Sequence, residues 1–341
     1  MRFQARALDS NVKGTNYCRA SFQWDSLISN TRSQPDHSEP AHYLFGILEK
    51  IVKSMWTRVH PAVCLCAFFS ALPAPVAGWW VDGHAVQAKA SVLSLPDGVP
   101  AFFRERGGTI AYFAADPDLA KNRSLALLRD AERPEHYLDV EFLNGRKLPE
   151  TRAGFIKLCA ELELEPSKVG SAVYAIAEWT QRLTLAFAEH RKWPDVEALK
   201  LKCLLYAGLL AHYSQDLCQP LHTTIHFDGR SQDGRSPHSG IHEKVDSIVG
   251  RLELPLQEMV VKGVEPLVPL VAGILSELES SHLLVDRVYE LESGFGSTIS
   301  AEVRSFAMER SRASARFTAS LFLTAWTESK TTQLPDWLKP E

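Results

Sequence analysis

LKCLLYAGLLAHYSQDLCQPLH, residues 201–222, is the stretch that decides the fold. Its first half is almost wholly apolar around the helical turn, which predicts a buried central helix over Asp195–Leu217 rather than a surface one. Pro220 stops it. Near its end stand His212 and Asp216, four residues apart and so on one face, one turn from each other. Polar groups at the end of a buried helix are costly unless partnered. A second pair with this spacing follows, His242 and Asp246 in HEKVD, and His222 lies between the two pairs. Neutral imidazole and carboxylate are ligands suited to zinc, at roughly 2.0–2.2 Å. One such pair is usually a plain structural contact. Two of them flanking a further histidine point to metal.

Outward from this helix the pattern stays helical. Segments are predicted at 83–95, closed by Pro96-Asp97-Gly98, and at 100–113. A polar, irregular stretch is expected over 114–151; a loop of that length inside a domain is usually functional. Helices are then expected at Ala153–Leu164 and Ser167–Glu189, the latter stopping before Trp193-Pro194. Beyond the central helix come a Gly/Ser/Asp-rich loop over 226–239, a helix from Gly240, and helices at 258–278, 280–292 and 299–328. Few runs read as strands. The expectation is one all-α domain over 79–330 and a polar tail at 331–341.

The 341 residues are 45% hydrophobic and 23% charged, an ordinary globular balance. A formal charge of -4 offers no basic face for duplex DNA, but leaves room for single strands held by metal and base stacking. Of the six cysteines, Cys159, Cys203 and Cys218 fall in the helical domain and allow either one disulfide and a thiol or three buried thiols.

The front of the chain reads differently. Residues 55–78, MWTRVHPAVCLCAFFSALPAPVAG, combine flanking Lys53 and Arg58, an apolar core from Ala62 to Leu72 too short to span a bilayer, and small residues at Val76 and Gly78. That is the layout of a secretory signal peptide cut before Trp79, implying a secreted or periplasmic protein. Residues 1–54 are polar and patternless, and are expected to be an over-extended start or a disordered leader, with translation beginning at Met55.

WWVDGH (79–84), PDLAK (117–121), PEHYLD (134–139), HYSQDLCQPLH (212–222) and HEKVD (242–246) together resemble the superfamily that joins zinc-dependent phospholipase C with single-strand-specific nucleases. The resemblance covers nearly all of the chain from Trp79. It implies a helical fold around three zinc ions and an N-terminal tryptophan that binds metal through its amine and carbonyl, which agrees with the cut before Trp79. Carried over, Trp79, His84 and Asp216 would hold one zinc. Asp118, His136, His212 and the bridging Asp216 would hold the second, and His222, His242 and Asp246 the third. Asp116 stands two residues before Asp118 and is the alternative ligand; Lys121 favours Asp118, because it matches a basic residue near the scissile phosphate in the nucleases.

The mechanism so implied is hydrolysis of a phosphate ester by water activated between two zinc ions ~3.5–4 Å apart, with its pKa lowered towards ~7. Asp118, Asp216 and Lys121 are the candidate catalytic residues. The five-residue step from Trp79 to His84 resembles the nuclease branch, where Tyr137 would stack a base and Asp139 would meet base edges; simple core packing is the alternative for Tyr137. Trp80 and Cys218 depart from the nuclease pattern. His226 and His238, in the loop 226–240, would be surface or outer-sphere groups. The expected partner is single-stranded nucleic acid or a nucleotide, with a phospholipid head group as the alternative. A non-catalytic, zinc-stabilised binding protein is the reading from another class.

Overall fold

The apolar run at 201–211 does become a buried helix, and the other helices are laid around it. The computed structural model describes residues 79–231 and 236–339, with the backbone alone at Trp79 and Trp80. The expected signal peptide and the stretch before it lie outside the described residues. The helices are α1 (Trp79–Leu93), α2 (Ala101–Arg104), α3 (Gly107–Phe113), α4 (Asp116–Ala120) and α5 (Ala126–Glu132). Then come α6 (Arg152–Glu161), α7 (Pro166–Val169), α8 (Ala172–Lys192), α9 (Glu197–Leu217) and α10 (Ile241–Asp246). The chain closes with α11 (Ile248–Leu252), α12 (Leu256–Met259), α13 (Leu270–His282), α14 (Val285–Glu290) and α15 (Ala301–Glu328). Short 3-10 turns at Arg133–His136 and Pro220–Thr223 matter for the site. Among the described residues there is no strand, only an isolated bridge between Leu138 and Gly170, so the all-α expectation holds. No described helix is long and apolar enough to cross a membrane.

α9 packs along α8, α3 and α15, while α1 lies against α3 and α15. The main core gathers Phe103, Ile110, Phe187, Leu204, Leu210 and Phe322, all fully buried. Close approach of α3 to α9 depends on Gly208: a Cβ there would lie 2.4 Å from the Phe113 Cβ. Cys159, Cys203 and Cys218 are three separate buried thiols.

Several boundaries differ from those expected. The 100–113 segment breaks into α2 and α3 at Arg106, ahead of Gly107-Gly108. The supposedly irregular 114–151 is built of α4, α5 and two 3-10 turns, single turns too short to show a period. Ser167–Glu189 divides at Gly170 into α7 and α8. The 258–278 helix does not exist as one piece, since α12 ends at Met259 and α13 starts only at Leu270. Pro266 and Pro269 exclude a helix interior between them, yet Val261 and Val264 are buried, so the apolar pattern outlasts the helix.

The segment that carries His136 is held from two sides. Leu138 N donates to His222 O at 3.0 Å, Asp139 N to Val169 O at 2.8 Å, and Ala172 N to Tyr137 O at 3.1 Å. Arg152 adds a fork, with two 2.7 Å bonds to Glu135 and another of 2.7 Å to Glu178. Gly170 is the tight point. Its φ is 89° and ψ 162°, a region open essentially to glycine, and a Cβ would meet Tyr137 O at 2.2 Å. Gly170→Ala should therefore destabilise the protein by ~2–5 kcal/mol, the sum of backbone strain and overpacking. Denaturant unfolding measures it, and a loss under ~1 kcal/mol would show that the 134–139 segment yields freely.

Candidate metal centre

The last two turns of α9 bring His212 and Asp216 to a point where five other elements converge. His84 comes from α1, Asp118 from α4, His136 from the 3-10 turn after α5, His222 from the turn after Pro220, and His242 with Asp246 from α10. Three groups have ligand atoms within 4.8 Å of one another: His84, Asp118 and His212; His136, His212 and Asp216; His222, His242 and Asp246. These are chelating sets by geometry and by donor type. Asp216 ties them together. Its Oδ1 lies 3.3 Å from His84 Nε2 and 3.8 Å from His222 Nδ1, and its Oδ2 lies 2.8 Å from His136 Nδ1 and 3.2 Å from His212 Nε2.

The tautomers are set by what stands behind each ring. A main-chain carbonyl can only accept, so the ring nitrogen facing it carries the proton. His212 Nδ1 donates to Ala114 O at 2.7 Å, His222 Nδ1 to His136 O at 2.8 Å, and His242 Nδ1 to Phe227 O at 3.2 Å. His84 Nδ1 has the Gln215 side-chain amide 2.6 Å away. In each of the first three, Nε2 keeps its lone pair and faces the carboxylates: His212 Nε2 is 3.8 Å from Asp118, His222 Nε2 3.7 Å and His242 Nε2 3.1 Å from Asp246. Such backing orients metal-binding imidazoles. His136 is turned the other way, with Nδ1 inward and Nε2 3.3 Å from Glu132.

Electrostatics follow from this packing. Burial alone would raise the Asp216 carboxyl, but His212 and His222 outweigh it and hold it well below the usual range. Asp118 is likewise lowered against its burial, by His212 and Lys121. Burial and the neighbouring His84 press His212 down to about 4, so it is neutral at physiological pH. His242 goes the opposite way: despite burial, Asp246 raises it to about 9. Lys121 Nζ sits 2.5 Å from Asp118 Oδ1, which keeps the ammonium charged although burial opposes this.

A cavity of about 340 Å³ opens onto the cluster, lined by His84, Asp118, Lys121, Asp216, His222, His242 and Asp246, with Gln215 and Gln219. His136 and His212 lie buried behind Asp216. Asp118 faces the cavity and Asp116 does not. Lys121 is on that wall as well. Tyr137 and Asp139 lie beside the cluster without lining the cavity. The Tyr137 hydroxyl donates to Ser167 O at 2.7 Å, and its partly exposed ring covers Gly170. Asp139 is buried, and burial with Glu141 nearby pushes its carboxyl up to about 8. His226 and His238 stand apart from the cavity; His238 is 3.5 Å from Asp228. The contacts of Trp79 lie outside the described side chains.

Four functional positions escaped the sequence reading. Gln215 backs His84, and Gln219 Nε2 donates to Asp246 at 2.9 Å. Glu132 backs His136 and accepts from the Tyr213 hydroxyl at 2.5 Å. Gln215 and Gln219 fall at three-residue spacing from His212 and Asp216, the signal that could have marked them.

No protein-family model matches the chain, and no curated protein shows significant similarity to it. Among solved structures it is similar to the alpha toxin from Clostridium absonum, at 14% identity and a TM-score of 0.41 over 76% of this chain. It is also similar to the alpha-toxin of an avian strain of Clostridium perfringens, at 12% identity and a TM-score of 0.40 over 75% of this chain. The matched part spans 66% and 65% of those two chains, just under two thirds of each.

Proposed function

We propose that this chain is a zinc-dependent hydrolase of phosphate esters. The observation that supports it is the convergence of inward-facing imidazole lone pairs and carboxylates on one wall of an open cavity that also carries a cation, Lys121. A structural zinc is closed by four ligands of its own. Here one carboxylate, Asp216, serves more than one group, and the cavity leaves space for a substrate. The donor set, imidazole and carboxylate without thiolate, fits zinc.

Trp79, His84 and Asp216 would hold one ion, Asp118, His136, His212 and Asp216 a second, and His222, His242 and Asp246 a third. Zinc in these places supplies Lewis-acid stabilisation of phosphoryl oxygens and acidifies water. The chain's own groups do the rest. Lys121, held charged by Asp118, offers an ammonium to a phosphate oxygen entering the cavity. Gln219 and the carbonyls behind the rings fix the ligands before substrate arrives.

For the substrate we favour single-stranded nucleic acid or a nucleotide ester. Tyr137 offers a partly exposed ring next to His136, and a stacked base is worth ~1–3 kcal/mol without a basic groove. The Asp139 carboxyl, pushed up to about 8, keeps its proton at neutral pH and can donate to a base edge. A phospholipid head group is the second reading, favoured by one observation. Leu119, Leu125, Leu127 and Leu128 are exposed on and beside α4 and α5, next to Asp118 and Lys121.

Protein beginning at Trp79 and loaded with zinc should cut single-stranded DNA or RNA faster than duplex, and a chelator should stop it. Faster hydrolysis of a phosphatidylcholine emulsion would move the assignment to the lipid. Absence of chelator-sensitive turnover on every one of these would overturn the hydrolase reading.

A further inference from the structure

His136 is the exception among the clustered histidines. Where His212, His222 and His242 turn Nε2 inward and give Nδ1–H to a carbonyl, His136 turns Nδ1 inward, 2.8 Å from Asp216 Oδ2 and 3.0 Å from His212 Nε2. Its Nε2 then faces away from the cluster. The group placed there is the carboxylate of Glu132, 3.3 Å off, at the end of α5. The His136 side chain is 4% exposed and that of Glu132 15%, so water contributes little to satisfying either. Tyr213 closes the arrangement, its hydroxyl donating at 2.5 Å to the same Glu132 oxygen. Adjacent residues of α9 thus act on opposite sides of His136: His212 meets its inner nitrogen, and Tyr213 holds the acceptor for its outer one.

We infer that Glu132 is the positioning residue that fixes the inverted tautomer of His136, taking Nε2–H so that Nδ1 is the metal-binding atom, with Tyr213 holding Glu132 in place. An imidazole has one proton to place when neutral. If Nδ1 held it, a proton would point at Asp216 and the ring could bind no ion from that side. A carboxylate at Nε2 selects the other tautomer, and it raises the basicity of Nδ1 by drawing on the Nε2 proton. Main-chain carbonyls, which do this for the other three rings, are not offered here. The carbonyl of His136 itself is engaged by the His222 ring, and that of Tyr137 by Ala172 N. Glu132 touches no substrate and is in none of the three chelating groups, so its action runs through His136 alone.

The inference rests on the metal-centre reading but on no choice of substrate. The test compares Glu132→Leu, Glu132→Gln and Tyr213→Phe with the parent protein by zinc titration against a chromophoric chelator. A second readout is proton NMR of the cobalt-substituted protein, where ring N–H groups of bound histidines give separate shifted signals. Glu132→Leu should weaken one ion by roughly 10–100-fold, leave the others unchanged, and remove one ring N–H signal by exchange. Glu132→Gln, whose amide oxygen still accepts, should restore most of that affinity and the signal. Tyr213→Phe should give a smaller loss at the same ion. Unchanged affinity and spectrum in Glu132→Leu would overturn the inference, as would a Gln variant as weak as the Leu variant. Should Glu132→Leu not fold, an unaltered ion affinity in Tyr213→Phe together with an unaltered one in Glu132→Gln would overturn the relay. A parent protein that binds no zinc is a different failure, that of the metal centre itself.

Discussion

Asp216→Asn should strip two of the three proposed ions from the protein and lower turnover by roughly a thousandfold, the scale at which loss of a central electrostatic group is felt. The reason is local. One carboxylate, 6% exposed, stands within 4 Å of four imidazoles from four different elements. An amide of the same shape keeps one acceptor but presents an NH₂ to the remaining rings, and it carries no charge to bind a cation. The groups around His84, Asp118 and His212 and around His136 and His212 both open on Asp216, so both should empty. The group at His222, His242 and Asp246 has its own carboxylate and should keep its ion. Elemental analysis after gel filtration would then give one zinc per chain. Two or more tightly held ions, with turnover within tenfold of the parent, would show that Asp216 is not shared. Asp246→Asn is the converse control and should remove only the ion that Asp216→Asn retains.

The parts of this centre that could be seen in the sequence are those with a period. His212 and Asp216, and His242 and Asp246, are one helical turn apart, and α9 and α10 keep that turn. The apolar face of α9 and the long run of α15 were likewise visible, because a buried helix imposes a repeat over several turns. Asp118 was legible only as one of two aspartates, since nothing in ADPD says which of them meets the cavity. α4 supplies the answer: it carries Asp118 and Lys121 to the same wall.

The rest was hidden for physical reasons. The partners that fix the tautomers of His212, His222 and His242 are carbonyls of Ala114, His136 and Phe227, and a carbonyl leaves no trace in residue identity. Glu132 and Tyr213 meet across 81 positions of chain, so no local spacing reports their contact. The stretch 114–151 was misread because helices of five and seven residues end before a period is established. The gap between α12 and α13 was misread because Val261 and Val264 are buried by tertiary packing in a segment that two prolines keep out of the helix. The function-bearing loops are thus the segments whose geometry is set by tertiary contacts and not by propensity.

Zinc should reverse the slope of stability against pH between about 6.5 and 9. In the metal-free protein His242 is raised to about 9 because the Asp246 carboxylate, 3.1 Å away, outweighs the burial that would lower it. A histidine whose folded pKa lies above its unfolded value of about 6.5 stabilises the fold fully below that value, and the contribution disappears as pH climbs through the folded pKa. His84 and His136, both raised, act in the same sense. For His242 the shift corresponds to ~1–3 kcal/mol once solvent screening of the partly exposed ring is allowed for. His212, pressed down to about 4, works on the other flank: below about 6.5 its unfolded form takes up a proton that the folded form refuses, and stability falls with pH. The metal-free melting temperature should therefore peak near pH 6.5 and decline towards pH 9. An ion, however, needs the deprotonated ring. Its apparent affinity at the site of His222, His242 and Asp246 should rise about tenfold per pH unit up to the folded pKa of His242, and stabilisation grows with affinity. Melting curves of chelator-treated and zinc-saturated protein should diverge from pH 6.5 to 9, with the gap widening at each step. Curves that stay parallel across this range would mean that His242 gives up no proton when metal arrives, and would remove it from the ligand set.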